Sequence, residues 1–593
     1  MFIKTPKLTL FIFATVFFAY CSPKKDTEQP LVMVKQLLIK QTDSLDRGLN
    51  QLVAAAHAGD SNQLKMQFLK TRKLFKKLEW FCEYYAPGAS REINGPPLVE
   101  VETEETKSFE PSGLQVIEEF VYPYIPAEHK NLERELASLR SSLRRFRVLV
   151  METEMTEARV FDACKLEIFR IITTGITGFD TPLSYAGIDE AATSVKAAGQ
   201  VLGLFGRNKD LSKIIAESVD YLKEHPDFNS FDRMEFIRDH ANLITEGIVK
   251  WQKELNIKPL DTELALRRDA TSLFGKDVFN INHFVNSTEA MPTPDKQALG
   301  KALFNDPIVS GSVRTCQSCH KPELAFTDGL AKSQALTSGK FVKRNAPTLL
   351  YAGLQNAQFY DMRFQTLENQ AMDVIANKDE MHGSVEDAAK RLQKDEHYYT
   401  LFKKAFPAME TEIKPRFVMI TLATYIRSLT PFNSRFDKYM RGDDKQMNQT
   451  ELNGFNLFTG KAKCATCHFM PLFNGTAGPV FSNTEGEVIG TLKDPDAKNP
   501  AIDEDEGRYF WIKMDVLKYA FKTPTLRNIG KTAPYMHNGA YKTLKQVMDL
   551  YNKGGAAGMG IPLENQTLSG DPLNLSKKEI SDIISFLKTL DDQ

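Results

Sequence analysis

The stretch RTCQSCHKPELAF, residues 314–326, decides the fold of the second half of this chain, because it contains the spacing C-x-x-C-H. The same spacing recurs as CATCH at residues 464–468. Two thiols one helical turn apart can add to the vinyl groups of haem, and the adjacent histidine then reaches the iron. Each motif therefore predicts one covalently bound haem c. The predicted attachment residues are Cys316, Cys319, Cys464 and Cys467, and the predicted iron ligands are His320 and His468.

The alternative for a C-x-x-C pair is a zinc site. Zinc needs further cysteine or histidine ligands at suitable spacing, and the sequence near either motif offers none. Two of the remaining cysteines, Cys82 and Cys164, lie in the first half of the chain. They can pair in an oxidising compartment or remain buried free thiols, and the sequence does not decide between the two.

Residues 1–21 are predicted to be an export segment. Lys4 and Lys7 precede an apolar run at 8–20, which has signal-peptide length and is short for a membrane-spanning helix. Cys21 follows directly and resembles the lipidated cysteine of a bacterial lipoprotein, with a simple secretory signal as the alternative. The sequence therefore predicts a periplasmic protein, anchored to a membrane if Cys21 is lipidated.

The chain length and the spacing of apolar residues predict the domain organisation. A chain of 593 residues is too long to fold around one hydrophobic core. Its net charge of -1 gives no support to a nucleic-acid partner. Residues 22–265 have apolar positions every three or four residues, which predicts an antiparallel helical bundle. From about residue 290 the predicted helices shorten, as expected where haem supplies much of the core. The predicted fold class is mainly α, with the bundle followed by cytochrome c-type domains at 290–440 and 441–593.

The two predicted haem domains share an internal pattern. GKALF at 300–304 precedes the first motif, and GFNLF at 454–458 precedes the second. Each domain also ends in a predicted amphipathic helix, at 417–429 and at 576–590. In the second of these helices, Ser576 and Glu579 have the spacing of a capping box.

The sequence around both motifs resembles the bacterial di-haem cytochrome c peroxidase / MauG family over residues 290–593. The stretches that carry the resemblance are 300–329, RNAPTLL at 344–350, FYDMR at 359–363, DEMHG at 379–383 and KTPTLRNIGKTAPYMHNGAYKTLKQVMDLYNKGG at 522–555. The resemblance implies that the first haem reacts with hydrogen peroxide and that the second haem handles electrons.

The resemblance also assigns residues to the peroxide site. Glu380 falls on the distal acid of the family, and Gln370 on a distal polar residue. This assignment suits the chemistry, because breaking an O–O bond needs a group that takes a proton from one oxygen and returns it to the other. The stretch between Asp328 and Arg344 contains no histidine. Family members that need reductive activation have a haem-ligating histidine there, so the first haem is expected to be open without activation.

For the second haem, the resemblance places Tyr551 at the position of the second axial ligand, with Met536 and Met548 as alternatives. An anionic oxygen ligand is expected to lower the haem potential relative to a methionine ligand. Tyr360 falls on the residue that bridges the two haems in the family.

The resemblance implies a calcium ion between the haems, held by Asn345, Thr532 and Pro534, and oxygen ligands of this kind suit a hard cation. The bundle is weakly similar to imelysin-like proteins, whose G-x-H-x-x-E signature reads GLQVIE at 113–118. Glutamine replaces the histidine of that signature. We therefore expect a structural or docking role for the bundle rather than a metal site.

The leading functional interpretation is a cytochrome-c peroxidase-type oxidoreductase. Its electrons would come from a small donor protein, such as a cytochrome c or a cupredoxin, or from a quinol-linked chain. One alternative is a MauG-like oxidase that uses peroxide to oxidise a protein or an organic substrate. Others are a non-enzymatic electron-transfer cytochrome and a binding protein whose helical half captures a ligand. The sequence leaves a homodimer open.

Overall fold

The computed structural model describes residues 29–101 and 107–593, so the export segment and Cys21 lie outside the described residues. Within those two ranges, every helix is too short or too polar to cross a membrane. Helices dominate the structure, and the described strands are two residues long. The mainly α fold class is confirmed.

The first half of the chain is a helical bundle, as its apolar periodicity predicted. Its helices are α1 (Pro30–Ala58), α2 (Ser61–Lys76), α3 (Glu79–Tyr85), α4 (Pro87–Asn94), α5 (Leu114–Val121), α6 (His129–Glu152), α7 (Glu157–Arg170), α8 (Gly187–Gly203), α9 (Lys209–Glu224), α10 (Arg233–Glu235) and α11 (Asn242–Glu254). Two π-helical turns, Ile171–Gly175 and Phe236–Ala241, continue α7 and α10. A short antiparallel pair, β1 (Glu100–Val101) and β2 (Ser108–Phe109), lies between α4 and α5.

The bundle also buries charged side chains among its apolar ones. The Arg72 guanidinium donates two hydrogen bonds to the Glu190 carboxylate, at 2.6 and 2.9 Å, and both side chains are nearly inaccessible to solvent. Removing either partner of such a pair would leave an uncompensated buried charge, which is strongly destabilising. Cys82 and Cys164 are buried free thiols, so they do not pair.

The second half contains shorter helices separated by long loops. They are α12 (Pro294–Phe304), α13 (Leu367–Ala376), α14 (Val385–Lys394), α15 (Glu396–Ala405), α16 (Pro415–Arg427), α17 (Arg435–Met440), α18 (Gln449–Thr459), α19 (Leu544–Asn552), α20 (Gly555–Gly558) and α21 (Lys577–Lys588). Strands β3 (Gly486–Glu487) and β4 (Phe521–Lys522) pair antiparallel, with Gly486 opposite Lys522.

The internal pattern in the sequence corresponds to two equivalent helix crossings. Helix α12 packs on α16, and α18 packs on α21. A Cβ atom at Gly300 would collide with the carbonyl oxygen of Thr421, and one at Gly454 would collide with that of Asp582. Glycine therefore occurs at the same place in both domains because the crossing helices touch there backbone to backbone. The predicted capping box at the start of α21 is present.

The segment between the bundle and α12 packs against the haem half. The Phe279 ring lies 5.7 Å from the ring of Phe432 and 5.2 Å from that of Phe481, between ring centroids. Phe274 meets Phe436 at 5.7 Å. These residues belong to the same hydrophobic core as both halves, so the segment joins the halves rather than separating them.

Candidate functional site: two haem crevices

The first motif forms a tight turn that presents its histidine. Residues Cys316–Ser318 make one turn of 3-10 helix, and the His320 amide donates to the carbonyl of Cys316 at 3.0 Å. The His320 Nδ1 atom lies 2.9 Å from the carbonyl oxygen of Phe326. A hydrogen bond there fixes the ring and leaves Nε2 as the nitrogen that can bind iron. Cys316 and Cys319 are free thiols.

The second motif repeats this arrangement. The His468 Nδ1 atom lies 3.2 Å from the carbonyl oxygen of Phe473 and 3.1 Å from that of Pro524. Burial lowers the pKa of His468 to about 4, so the imidazole is neutral at pH 7 and able to bind a metal. Cys464 and Cys467 are free thiols. Both motifs thus supply paired free thiols and an oriented imidazole, the donor set that covalent haem c needs.

Glu380 faces the first motif. Burial raises the pKa of the Cys319 thiol, and the nearby Glu380 carboxylate adds to that shift. The Glu380 Oε1 atom accepts a hydrogen bond from the Asn377 side chain at 2.7 Å. Burial raises the pKa of Glu380 to about 7, opposed by the positive charge of Arg363 and assisted by the negative charge of Asp373. At neutral pH this carboxyl group can therefore either accept or donate a proton.

An ion-pair network lies behind Glu380. The Arg363 guanidinium donates to Asp373 at 2.8 Å and to Asp361 at 3.0 Å. Gln370 precedes Asp373 by three residues on α13, so the two side chains project from the same side of the helix. The Leu336 amide donates to the carbonyl of Asp379 at 2.9 Å. This hydrogen bond joins the loop between Asp328 and Arg344, which contains no histidine, to the turn that carries Glu380.

Tyr551 faces the second motif from α19. Burial raises the pKa of its phenol, and the neighbouring Cys467, Cys464 and Glu487 groups raise it further. The two methionine alternatives are also buried or half-buried. Met548 belongs to the main hydrophobic core, and Met536 packs against a small cluster of Leu492, Tyr541 and Leu550.

Two further carboxyl groups lie beside the second motif, and the sequence alone did not indicate them. Glu485 and Glu487 lie two residues apart around β3, a spacing that puts both side chains on one side of the strand. Burial raises the pKa of Glu485 to about 8, and Glu487 adds to that shift. The Glu487 carboxyl is hydrogen-bonded to Thr567 and to Cys467. The sequence pattern Glu-Gly-Glu at 485–487 could have indicated this carboxyl pair, but the same pattern is common in exposed turns.

Tyr360 connects the two haem domains. Its backbone carbonyl accepts a hydrogen bond from the Lys522 amide at 2.6 Å, and its hydroxyl donates to Asn345 Oδ1 at 3.4 Å. Burial raises the pKa of the Tyr360 phenol, while the charge of Arg344 opposes the shift. The structure thus brings Tyr360 to the contact between the domains.

The residues assigned to calcium come together only in part. The Asn345 amide donates to the His537 carbonyl at 2.8 Å, which places Asn345 beside the segment that contains Thr532 and Pro534. The Asn345 side-chain nitrogen donates to the Leu330 carbonyl at 2.8 Å. Across residues 29–101 and 107–593 there is no cluster of three or more His, Cys, Asp or Glu suited to a metal. A cation here would depend on one amide oxygen and backbone carbonyls.

The N-terminal bundle contacts the second motif directly. The rings of Phe179 and Phe469 meet edge to face with their centroids 5.9 Å apart. The Lys463 ammonium donates to the Pro182 carbonyl at 3.0 Å, and the Asn456 side chain accepts a hydrogen bond from the N-terminus of α10 at 3.0 Å. The bundle therefore covers one side of the segment that carries the second haem motif.

The residues of the imelysin-like signature make structural hydrogen bonds. The Gln115 side chain donates to the Asn94 carbonyl at 2.7 Å. The Glu118 carboxylate is buried and accepts a hydrogen bond from the Ser184 amide at 3.0 Å. These contacts join α5 to α4 and to the segment before α8, as expected of a structural role.

Comparisons with known proteins agree with both haem assignments. Residues 294–445 match the family described as di-haem cytochrome c peroxidase, and residues 452–591 match cytochrome c. The methylamine utilization protein MauG of Methylorubrum extorquens is 35% identical over 300 residues, which cover 50% of this chain and 78% of that protein. The cytochrome c551 peroxidase of Nitrosomonas europaea is 34% identical, covering 50% and 80% respectively.

A solved structure, described as a MauG-like protein associated with microbial copper homeostasis, has 28% sequence identity to this chain and a TM-score of 0.45. It covers 52% of this chain and 92% of its own length. The two matched ranges begin at residues 294 and 452, and each contains one haem motif. From the two family matches and from the MauG and cytochrome c551 peroxidase relatives, the chain belongs to the di-haem cytochrome c peroxidase family.

Proposed function

We propose that this protein is a di-haem c-type peroxidase that reduces hydrogen peroxide to water with electrons from a small redox partner. The observation that carries the proposal is Glu380, a carboxyl group beside the first motif whose pKa of about 7 suits proton transfer at neutral pH. When bound, haem c supplies the iron that reacts with peroxide and the centres that store electrons.

The protein's own groups handle the protons. Glu380 takes a proton from one peroxide oxygen and returns it to the other oxygen. That second oxygen then leaves as the first water molecule. The Asn377 amide holds one carboxyl oxygen of Glu380 and so restricts the rotation of the group. Gln370 orients the peroxide by hydrogen bonding. The Phe326 carbonyl keeps the His320 ring in one orientation.

The second crevice handles electrons. Tyr551 would hold the second haem together with His468, because its phenol lies close to the cysteines of the second motif. Tyr360 carries electrons between the haem domains from its position at their contact. The donor is a small protein such as a cytochrome c or a cupredoxin, or a quinol-linked chain.

A MauG-like oxidase is the second candidate. Two observations favour it: a tyrosine faces the second motif, and the loop tied to the Glu380 turn has no histidine. The fully oxidised protein should then consume peroxide without prior reduction and oxidise an added protein or organic substrate. A requirement for pre-reduction would exclude this candidate.

Steady-state turnover tests the leading proposal. The holoprotein should oxidise a reduced small cytochrome c only when peroxide is present, with two electrons used per peroxide. A plain electron-transfer cytochrome would exchange electrons without peroxide consumption, and a ligand-binding protein would do neither. Absorption and EPR spectra of the ferric protein report the coordination of both irons and test the His320 and Tyr551 assignments together.

Location and calcium complete the proposal. A signal segment that ends before a lipidated Cys21 would anchor the protein at the periplasmic face of a membrane, and the mass of the mature N-terminal peptide tests this. Calcium held by Asn345, Thr532 and Pro534 would join the two domains at their contact. Treatment with a calcium chelator should then lower the thermal stability of the haem half, and added calcium should restore it.

A further inference from the structure

Trp511 is the one tryptophan in the haem-bearing half of the sequence, and it lies at the surface. Its side chain is 52% exposed and that of the neighbouring Phe510 is 60% exposed. The two rings meet edge to face at 5.1 Å. Large aromatic side chains that remain exposed side by side are typical of surfaces that bind another molecule.

The inner edge of Trp511 is fixed by a buried carboxylate. The indole N–H donates to Asp361 Oδ2 at 3.0 Å, and Asp361 is only 2% exposed. The Arg344 guanidinium donates to the same oxygen at 2.5 Å. Trp511 is therefore held in one orientation, with one edge in the protein and one face in solvent. A hydrogen bond from the indole to a carboxylate also stabilises the positive charge that forms when the indole loses an electron.

The carboxylate connects Trp511 to the contact between the haem domains. Asp361 follows Tyr360 in the chain, and Tyr360 is bonded to one domain through Asn345 and to the other through Lys522. The route from the exposed indole to the contact between the domains is thus one hydrogen bond and one residue long. At the second motif, by contrast, the bundle covers Phe469 and Lys463.

We infer that Trp511 is the point at which a docked electron-donor protein delivers electrons. Trp511 passes one electron inward by way of Tyr360, leaving an indole radical cation whose N–H proton stays hydrogen-bonded to Asp361. The donor then returns one electron to the indole. Two such transfers and two protons balance the reduction of one hydrogen peroxide to two water molecules. This inference rests on the proposed peroxidase function.

The charges around the aromatic pair indicate which kind of donor fits. The ammonium groups of Lys343 and Lys513 lie 5.9 and 5.6 Å from the Phe510 ring centroid. Positive groups at the edge of an exposed aromatic contact favour a partner with an acidic contact surface, and they accelerate its association at low salt. The donor is therefore a small redox protein with an acidic docking surface.

Radical trapping tests the relay without measuring turnover. The holoprotein is treated with peroxide and a nitroso spin trap in the absence of a donor, and adducts are located by peptide mass spectrometry. The adduct should lie on Trp511, disappear in Trp511→Phe and persist in Trp251→Phe, which removes a tryptophan of the bundle. It should also disappear in Cys316→Ala/Cys319→Ala, because labelling by free peroxide would not need the first haem.

The other outcomes of this experiment distinguish failure of the relay from failure of the proposed function. Peroxide consumption with adducts only elsewhere, or an adduct that survives loss of the first haem, would overturn the relay and leave the proposed function intact. A wild-type holoprotein that consumes no peroxide would instead overturn the proposed function.

The docking assignment is tested with reduced plastocyanin, an acidic cupredoxin. Its peroxide-dependent oxidation should slow in Trp511→Phe and in Lys343→Glu/Lys513→Glu, and should slow in the wild type as salt is raised. Peroxide consumption in the absence of a donor should not change in Lys343→Glu/Lys513→Glu. If the wild type fails to oxidise plastocyanin, or if the charge-reversed variant oxidises it as fast as the wild type, the docking assignment is wrong.

Discussion

Replacement of Glu380 by glutamine tests the peroxide site most directly. Glutamine keeps the size of the side chain and can still accept the 2.7 Å hydrogen bond from Asn377, but it cannot take up a proton at neutral pH. A positioned acid–base group contributes roughly 10²- to 10⁴-fold in rate, about 3 to 5 kcal/mol of barrier. The rate constant for reaction with peroxide, measured by stopped flow, should fall by that range. Haem content and the spectrum of the second haem should not change.

The pH dependence gives a second readout. The shift in the pKa of Glu380 from 4.5 to about 7 amounts to about 3 kcal/mol in favour of the protonated form. If the carboxylate takes the proton from peroxide, the wild-type rate constant rises as the pH passes through about 7 and then levels off. The profile of Glu380→Gln should be flat over this range.

The free energy of unfolding should fall over the pH range in which the peroxide rate constant rises. The pKa of Glu380 is higher in the folded protein than in the unfolded chain, so its contribution to stability is fully present at low pH. That contribution is lost as the pH rises through about 7. Glu380→Gln should therefore weaken the decline of the unfolding free energy between pH 5 and 8, roughly the range set by this shift.

The matched control is Asp379→Asn, which removes the adjacent, exposed carboxylate and keeps the backbone carbonyl that binds Leu336. Its peroxide kinetics should equal those of the wild type. Near-normal kinetics in Glu380→Gln, or an equal loss in Asp379→Asn, would mean that another group transfers the proton.

Three further changes test the haems and the fold. Cys316→Ala/Cys319→Ala should retain one covalent haem after acid–acetone extraction, and two retained haems would refute thioether attachment at the first motif. Tyr551→Phe should convert the second ferric haem from low-spin to high-spin or water-ligated in EPR, and an unchanged spectrum would mean that another ligand binds. Gly454→Ala should lower the unfolding free energy by about 1 to 3 kcal/mol in denaturant titration, because the crossing leaves no room for a Cβ. Gly203→Ala, where nothing crowds the Cβ position, should not.

The parts of the structure that local chemistry determines could be predicted from the sequence. A C-x-x-C-H motif specifies its own turn, and the structure forms it at both places. The capping box at Ser576 and the apolar spacing of α1 are likewise local, since each depends on residues within one or two helical turns. The repeated glycine was visible as a pattern, but its cause, a carbonyl on a helix more than a hundred residues away, was not.

Long-range proximity accounts for what the sequence could not show. Glu485 and Glu487 acquire raised pKa values only because distant segments enclose them beside the second motif. Trp511 looks like an ordinary loop residue until folding brings Asp361, 150 positions earlier, to its indole N–H. The assignments of Glu380 and Tyr551 came from family resemblance. Their positions facing the two motifs are consistent with those assignments, and the variants above decide them.

The bundle and the Trp511 surface together limit where electrons can enter. A donor protein must come close to a redox-active group, and one side of the second motif is already occupied by Phe179 and the Pro182 carbonyl. These contacts exclude a docked protein from that side. If Trp511 is the entry point, the bundle has a function that its lack of an intact metal signature does not suggest. It closes one side of the second motif to a donor protein and leaves open the Trp511 surface, where one hydrogen-bonded indole leads to the contact between the haem domains.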